Sequence, residues 1–410
     1  MSAKNPPENS QETEQVPDEP EYFPPELLEQ SVEARLDYFE ERCLIEHPRL
    51  LEALELIIQA ICSPGEGASK RRPGTMVLVI GPSRVGKTTL IHLLEERLLA
   101  RVKAQMQQDQ SFIPFASITA PEPGSGRFDW IDYYKPVLRQ LGNPFVGSQA
   151  ALIRARELRE AMEEALRYRA PLAIIVDEAH HLAKARSGRR LQDNLDHLKH
   201  IENVTGVSHV LVGTYEMRPF RTVNAQLACR SVDVHFPRYD LVKEDDCHIF
   251  QSVLWALQRQ MPLEEEPLLA ERHWECLYAR SIGCIGLLKL HLNRALTLAL
   301  TEDARTVTET HLRKTAPSDI RVKHALHTIL ESEADFVEAD DADEQLLTLL
   351  GRPSAPSVTK RAKTGEEQTS ASSTPKKSQV GRRAPGRDPI GSESEEEALN
   401  PQIDEVQEAG

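Results

Sequence analysis

The chain has 410 residues, a formal net charge of −15 and 40% hydrophobic content, long enough for two domains plus tails and apolar enough for a real core. No apolar run approaches the ~20 residues that a membrane span needs, and residues 1–25 lack an apolar signal core, so neither a membrane protein nor a secreted one is expected. The six cysteines (Cys43, Cys62, Cys229, Cys247, Cys276 and Cys284) form no C-x-x-C pair and read as reduced thiols of a cytosolic protein, without zinc or disulfide spacing.

The charge is unevenly spread. Residues 1–24 carry six acids against one Lys, 321–350 carry eight acids against two bases, and every charged residue from Asp388 onward is an acid. The body is only mildly acidic, so the net charge does not exclude a local phosphate-binding face.

In chain order, residues 1–24 are Pro/Glu-rich, without periodicity, and read as disordered. An N-terminal helical extension follows over 25–70, with helical spacing through Leu36, Phe39, Ile45, Leu50, Leu54 and Ile57. His47-Pro48 marks a helix start, with Pro near the first helical position. An α/β core spans 71–240. Its first strand, Thr75–Ile80, runs into Gly81-Pro82-Ser83-Arg84-Val85-Gly86-Lys87-Thr88-Thr89, which fits the G-x-x-x-x-G-K-[ST] phosphate loop at every fixed position. Gly81 and Gly86 let backbone N–H groups turn onto phosphate oxygens, Lys87 reaches the β/γ-phosphates and Thr88 offers a hydroxyl to Mg²⁺. The helix that begins there points its positive end at the anion.

Strands are expected over Phe112–Thr119, Leu172–Val176, Ser208–Thr214 and Ser231–Phe236. Helices are expected over 129–141, Ala150–Tyr168 and Leu191–Ile201. Strands alternating with helices imply a parallel sheet covered on both faces. The apolar run ending in Asp177-Glu178 is a doubly buried strand whose carboxyl end carries two carboxylates. Asp177 suits the Mg²⁺ shell and Glu178 the general base for the attacking water. His180-His181 read as packing or hydrogen-bonding groups and not as a metal site, because adjacent residues on a helix or turn face different ways. From 241 to 330 the pattern is purely helical, a small lid, with helices over Ile249–Leu257, Trp274–Ala279, Leu287–Leu300 and Val307–Lys314. Residues 331–410 read as an acidic linker and a charged, disordered tail. Within it, nine Lys/Arg face two Glu over 352–387, and eight acids follow without a base.

A phosphate-loop core followed by a helical lid resembles the AAA+ family. The resemblance implies a first sensor at Thr214, which as a residue could equally be a turn cap. It implies an arginine finger at Arg230, with Arg221 or Arg218 as alternatives, and it puts the lid's second sensor at Lys289, where the usual Arg is missing. The segments Leu36-Asp-Tyr-Phe39, His47-Pro48-Arg49-Leu50, GPSRVGKTTL, DWIDYYK, IIVDEAHHLAK, LVGTYE and SIGCIGLLK together resemble the transposon-encoded AAA+ regulators of the TniB/TnsC type, those of CRISPR-associated transposons included, over about residues 30–320.

That resemblance implies an ATP- and Mg²⁺-dependent ATPase that assembles as a ring or helical filament on duplex DNA without reading sequence. It also implies a transposase of the TnsA/TnsB type and a target-selection protein of the TniQ/TnsD type as partners, and a bacterial cytoplasm as the setting. Lys184, Arg186, Arg189 and Arg190 after the Asp-Glu strand, with Arg127 and Lys135 beside the aromatic segment Phe128–Tyr134, are the candidate phosphate contacts. As residues they fit an ordinary solvated surface as well. A signalling or secretion-associated AAA+ ATPase of the ExeA-like type, without DNA, is the alternative reading.

Overall fold

Five short runs rich in Val, Ile and Leu pair side by side in one parallel sheet: β1 (Met76–Ile80), β2 (Phe115–Thr119), β3 (Ala173–Asp177), β4 (Ser208–Gly213) and β5 (Ser231–His235), in the order β2-β3-β4-β1-β5. The computed structural model describes residues 22–62, 74–124, 128–143, 154–184, 188–222 and 231–336, together with Leu347 and Leu350; for 188–190 it describes the backbone alone. Residues 1–340 form one compact unit and 341–410 a second.

Alternation along the strands divides the core between the two faces of the sheet. Val77, Val79, Ile175, Val210 and Val212 face one way, onto the helices α2 (Pro48–Cys62) and α3 (Lys87–Gln108) through Leu50, Leu54, Leu90 and Leu94. Met76, Leu78, Ile80, Ile174, Val176 and Leu211 face the other way, onto α4 (Trp130–Gln140), α5 (Ala155–Arg169) and α6 (Gly188–Thr205). With both faces covered, the strands read as continuous apolar runs in the sequence. Ahead of α2 come a short helix α1 (Val32–Asp37), capped by the Ser31 hydroxyl accepting from the Ala34 N–H, and a π-helical turn over Tyr38–Arg42.

After the sheet the chain is helical: α7 (Glu244–Arg259), α8 (Leu269–Arg272), α9 (Trp274–Ser281), α10 (Ile285–Thr301), α11 (Glu309–Thr315) and α12 (Asp319–Glu333). Phe250, Leu254, Leu257, Leu288, Leu292 and Leu296 build their own apolar cluster, which also takes in Phe39 and Cys43 from the N-terminal extension. The helical region and the core nonetheless belong to the same compact unit.

The linker expected from 331 begins too early. Helix α12 continues to Glu333, a 3₁₀ turn follows over Ala334–Phe336, and Ile329, Leu326 and Phe336 pack on the core cluster. The run of acids masked this element, because two of them face partners. Glu333 ion-pairs the buried Arg238 at 3.2 Å and Asp335 pairs with Arg218. The Phe336 ring stacks on His235 at 4.4 Å and lies under the Arg221 guanidinium at 4.5 Å.

Where α10 starts, it touches the phosphate loop through glycine. A Cβ on Gly286 would lie 2.4 Å from the Arg84 carbonyl oxygen, a distance no side chain tolerates, and the obstacle is backbone. Gly286→Ala should therefore push the helical region off the loop and destabilise by about 1–3 kcal/mol, read by chemical denaturation. A variant as stable as the wild type would mean that the loop yields freely. Burial also pushes the imidazoles of His47, His197 and His235 down to about 4, so they stay neutral in the folded chain. The unfolded chain takes up these protons near pH 6.5, so stability should fall as pH drops from about 6.5 to 4. Asp177 and Glu333, raised by burial, act in the opposite sense. The check is the denaturation midpoint at pH 7 against pH 5, with His47→Gln expected to shrink the drop.

Candidate nucleotide site

The strand order puts three carboxyl ends next to one another. The β1–β4 ladder pairs Ile80 with Gly213 and continues as the Gly81 N–H donates to the Gly213 carbonyl at 3.3 Å; on the far side of β4 the β3 ladder pairs Val176 with Leu211. The phosphate loop, Thr214 and Asp177-Glu178 therefore share one rim of the sheet, at the point where strand order reverses about β1. Open α/β sheets bind their ligands in such a crevice.

The rim opens into a cavity of about 360 Å³ lined by Ser83, Arg84, Gly86–Thr89, Asp177, Glu178, Thr214 and Gly286. The loop turns at Gly86 with φ 118, a conformation that suits glycine, and at Arg84 with φ 63. Close packing fixes Gly81, where a Cβ would sit 2.1 Å from the Phe236 carbonyl oxygen. Pro82 and Val85 are buried beneath the loop, while Ser83, Arg84 and Thr88 are exposed at its mouth.

Lys87 is buried, and its ammonium donates to the carbonyls of Gly81 at 3.2 Å and Pro82 at 2.7 Å. Burial lowers the pKa of this amine, against the carboxylates of Glu178 and Asp177, which raise it. The Asp177 carboxyl is raised by burial, and a 2.7 Å bond from the Glu178 N–H works against that. Glu178 itself stands at φ 51, ψ 31, left-handed for a non-glycine residue, a conformation that persists only where the surroundings over-determine it. Its side chain is 45% exposed toward the cavity, so the carboxylate is within reach of solvent. The Thr214 hydroxyl is buried on the cavity wall with no hydrogen-bond partner among the described residues. It does not cap the 3₁₀ turn Tyr215–Arg221 that follows it.

A second cavity of about 460 Å³ shares Gly86, Thr88, Thr89 and Gly286 with the first. Its apolar lining comes from the N-terminal extension (Leu44 and Ile45), the phosphate loop (Val85) and the helical region (Leu257 and Ile285), with Glu40, Glu41 and Lys289 among the polar residues beside them. Lys289 lines this second cavity and not the phosphate-loop cavity, and its amine donates to the Glu40 carbonyl at 2.9 Å and the Cys43 carbonyl at 2.6 Å. The expected second sensor thus straps the extension to α10. His47, on the wall of this cavity, is held by the Tyr239 hydroxyl at 2.7 Å. Next to it Arg49 ion-pairs Asp246 at 2.6 Å and caps the Tyr239 ring at 4.3 Å. Apart from Lys289 and the phosphate-loop residues, no residue of this wall is singled out by the sequence for nucleotide binding, although the His47-Pro48-Arg49 motif marks where it begins.

Among the arginines weighed for action on a neighbouring copy, Arg230 lies outside the described residues. Arg218 pairs with Asp335, and Arg221 with Asp233 at 2.6 Å. Of the candidate DNA contacts, Arg127 and Arg186 lie outside the described residues, and Arg189 and Arg190 fall in the first turn of α6 with only their backbone described. Lys184 lies 3.9 Å from the Glu216 carboxylate. Lys135 sits half-buried on α4, where Phe128, Trp130, Tyr133 and Tyr134 pack into one aromatic cluster with His197. These aromatic rings are mostly core, not a stacking platform. No helix among the described residues is long and apolar enough to cross a membrane.

No curated protein sequence matches the chain. Solved structures to which it is similar include the ORC2 protein of Aeropyrum pernix in ADPNP–ADP complexes, 15% identical over 68% of this chain and 70% of that one, with a TM-score of 0.46. Cdc6p from Pyrobaculum aerophilum is 15% identical over 68% and 70%, with a TM-score of 0.42. Domain III of the Thermotoga maritima replication initiation protein DnaA is 16% identical over 68% and 95%, with a TM-score of 0.40. The family model of the AAA domain matches residues 70–220, the stretch that holds the phosphate loop, Asp177-Glu178 and Thr214. Residues 70–220 are thus similar to the AAA domain, and the parallel sheet with its helices has the AAA+ P-loop NTPase fold.

Proposed function

We propose that the chain is an Mg²⁺-dependent ATPase that assembles with further copies of itself on duplex DNA. The observation that carries the ATPase reading is the meeting of Lys87, Thr88, Asp177 and Glu178 in one cavity, with a buried Thr214 hydroxyl on its wall that has no hydrogen-bond partner among the described residues. The triphosphate lies along the loop, with backbone N–H groups and Lys87 against its oxygens and the start of α3 behind it. The second cavity takes the base and ribose. Thr88 and Asp177 offer one hydroxyl and one carboxylate, a sparse oxygen set that suits Mg²⁺, which keeps several waters and binds through substrate phosphates. Once bound, the ion supplies charge neutralisation at the phosphate oxygens.

Glu178 accepts a proton from water as the water oxygen bonds to the γ-phosphorus; the bond to the bridging oxygen breaks, and ADP and inorganic phosphate leave. Thr214 donates its hydroxyl hydrogen to the attacking water or to a γ-oxygen, the partner it lacks among the described residues. Arg230 is the candidate for completing the site of a neighbouring copy, since Arg218 and Arg221 are both engaged with carboxylates of their own chain.

The finer reading is a transposition regulator that links a target-selection protein to a transposase and leaves DNA when ATP is hydrolysed. It rests on the sequence resemblance to the TniB/TnsC type, with the basic residues from Lys184 to Arg190 as non-specific phosphate contacts and the charged tail beyond 351 as a docking arm. The alternative, an ATPase of the ExeA-like type, has the same catalytic cleft and no DNA.

Lys87→Ala should weaken ATP binding on the order of 10- to 100-fold, since it removes a charge-assisted phosphate contact. Glu178→Gln should keep binding and slow hydrolysis by roughly 10²- to 10⁴-fold, because an amide cannot take the proton. Hydrolysis by Glu178→Gln at the wild-type rate would remove Glu178 from the mechanism. On DNA, affinity should be indifferent to sequence and drop steeply with salt, and neutralising Lys184, Arg186, Arg189 and Arg190 together should flatten that slope while ATP binding stays intact. ATP turnover and assembly unaffected by duplex DNA would favour the alternative.

A further inference from the structure

Beside the carboxylate proposed as the base lies a buried group that the mechanism above does not use. His180 is 7% exposed, and its Nδ1 lies 3.1 Å from Oε2 of Glu178. Among the described residues that nitrogen makes no hydrogen bond of acceptable geometry, so toward Glu178 distance is met and direction is not. Among the described residues no other cation or imidazole comes within 4.0 Å of the Glu178 carboxylate. The imidazole is itself held in place. The His181 ring meets it edge-on at 4.7 Å and 70°, and His181 is tied through Nδ1 to the Ala120 carbonyl at 3.1 Å. The backbone N of His180 presses on Gly213, where a Cβ would come within 3.0 Å.

The backbone explains the juxtaposition. Glu178 in the left-handed conformation caps the 3₁₀ turn Ala179–Leu182, which brings its side chain back over the residue two positions on. In a regular helix, residues two apart point in different directions. The turn therefore converts a sequence neighbour that would face away into one that faces the carboxylate.

We propose that His180 is a positioning residue for ATP hydrolysis, its Nδ1 fixing the Glu178 carboxylate against the attacking water. A modest rotation of the Glu178 side chain makes or breaks the Nδ1–H···Oε2 bond, so the imidazole sets which carboxylate orientation prevails without touching nucleotide or water. This rests on the reading of Glu178 as the base.

Asn and Gln discriminate the role, because the Asn amide nitrogen falls near the place of Nδ1 and the Gln amide nitrogen near that of Nε2. His180→Ala should lower kcat roughly 10-fold and leave KM and ATP binding unchanged. His180→Asn should restore most of the lost kcat and His180→Gln should not. Added to Glu178→Ala, His180→Ala should cost nothing further, since it acts through that carboxylate. Retained ATP binding by each variant reports that it is folded; if His180→Ala fails that check, the contrast between Asn and Gln decides alone. Wild-type kcat in His180→Ala, equal rescue by Asn and Gln, or a full additional loss in the Glu178→Ala background would overturn the proposal. Unchanged hydrolysis in Glu178→Ala alone would instead overturn the reading of Glu178 as the base.

Discussion

The site depends on the lateral pairing of β1, β4 and β3 in parallel register. Parallel strands end on the same side, so their ordering decides which loops become neighbours. With β4 between β1 and β3, the phosphate loop after Ile80, Thr214 after Gly213 and the carboxylates after Val176 are brought to one rim although they lie far apart in the chain. Both faces of that sheet are apolar and both are covered by helices. Backbone contacts then leave no slack, for Gly81 packs on Phe236, Gly213 on Met217 and His180, and Gly286 on Arg84.

Charge is concentrated where the sheet has pushed water out. Lys87 and Asp177 are each shifted by burial toward their neutral forms, and each is opposed by a neighbour of opposite charge. This tension is the usual signature of a functional site. The pair of buried Arg238 and half-buried Glu333 shows the structural version of the same physics. Its guanidinium also reaches the Tyr278 hydroxyl at 3.1 Å, so the desolvated charges are matched by hydrogen bonds and hold α12 against the core.

The elements outside the sheet act as struts onto that rim. His47 and Arg49 fasten the start of α2 to Tyr239 after β5 and to Asp246 in the first turn of α7, and Lys289 fastens the extension to α10. At the opposite side, Asp335 and Phe336 hold Arg218, His235 and Arg221, all on the segments that flank residues 223–230. The 3₁₀ turn that begins after Thr214 is thus braced by the turn that follows α12.

The phosphate loop and the Asp-Glu strand were legible without a structure, because each is a contiguous stretch in which residue type and spacing carry the chemistry. The parallel α/β class was legible too, since doubly covered strands must be continuous apolar runs and their boundaries shifted by only a few residues. Three features had no local signature. The apolar second cavity is assembled from residues near 44, 85, 257 and 285, which meet only when the extension folds back on the helical region. Helix α12 was hidden in acidic sequence, because Glu333 and Asp335 look solvated until Arg238 and Arg218 arrive from elsewhere. His180 and Lys289 stood in view, but their partners did not: His180, read as a packing or hydrogen-bonding group, is buried against Glu178, and Lys289 is drawn to the carbonyls of Glu40 and Cys43. Sequence thus determined the chemistry that lies along one stretch of chain, and tertiary structure decided the chemistry of groups that meet across it, since direction and burial belong to the folded backbone and not to residue order.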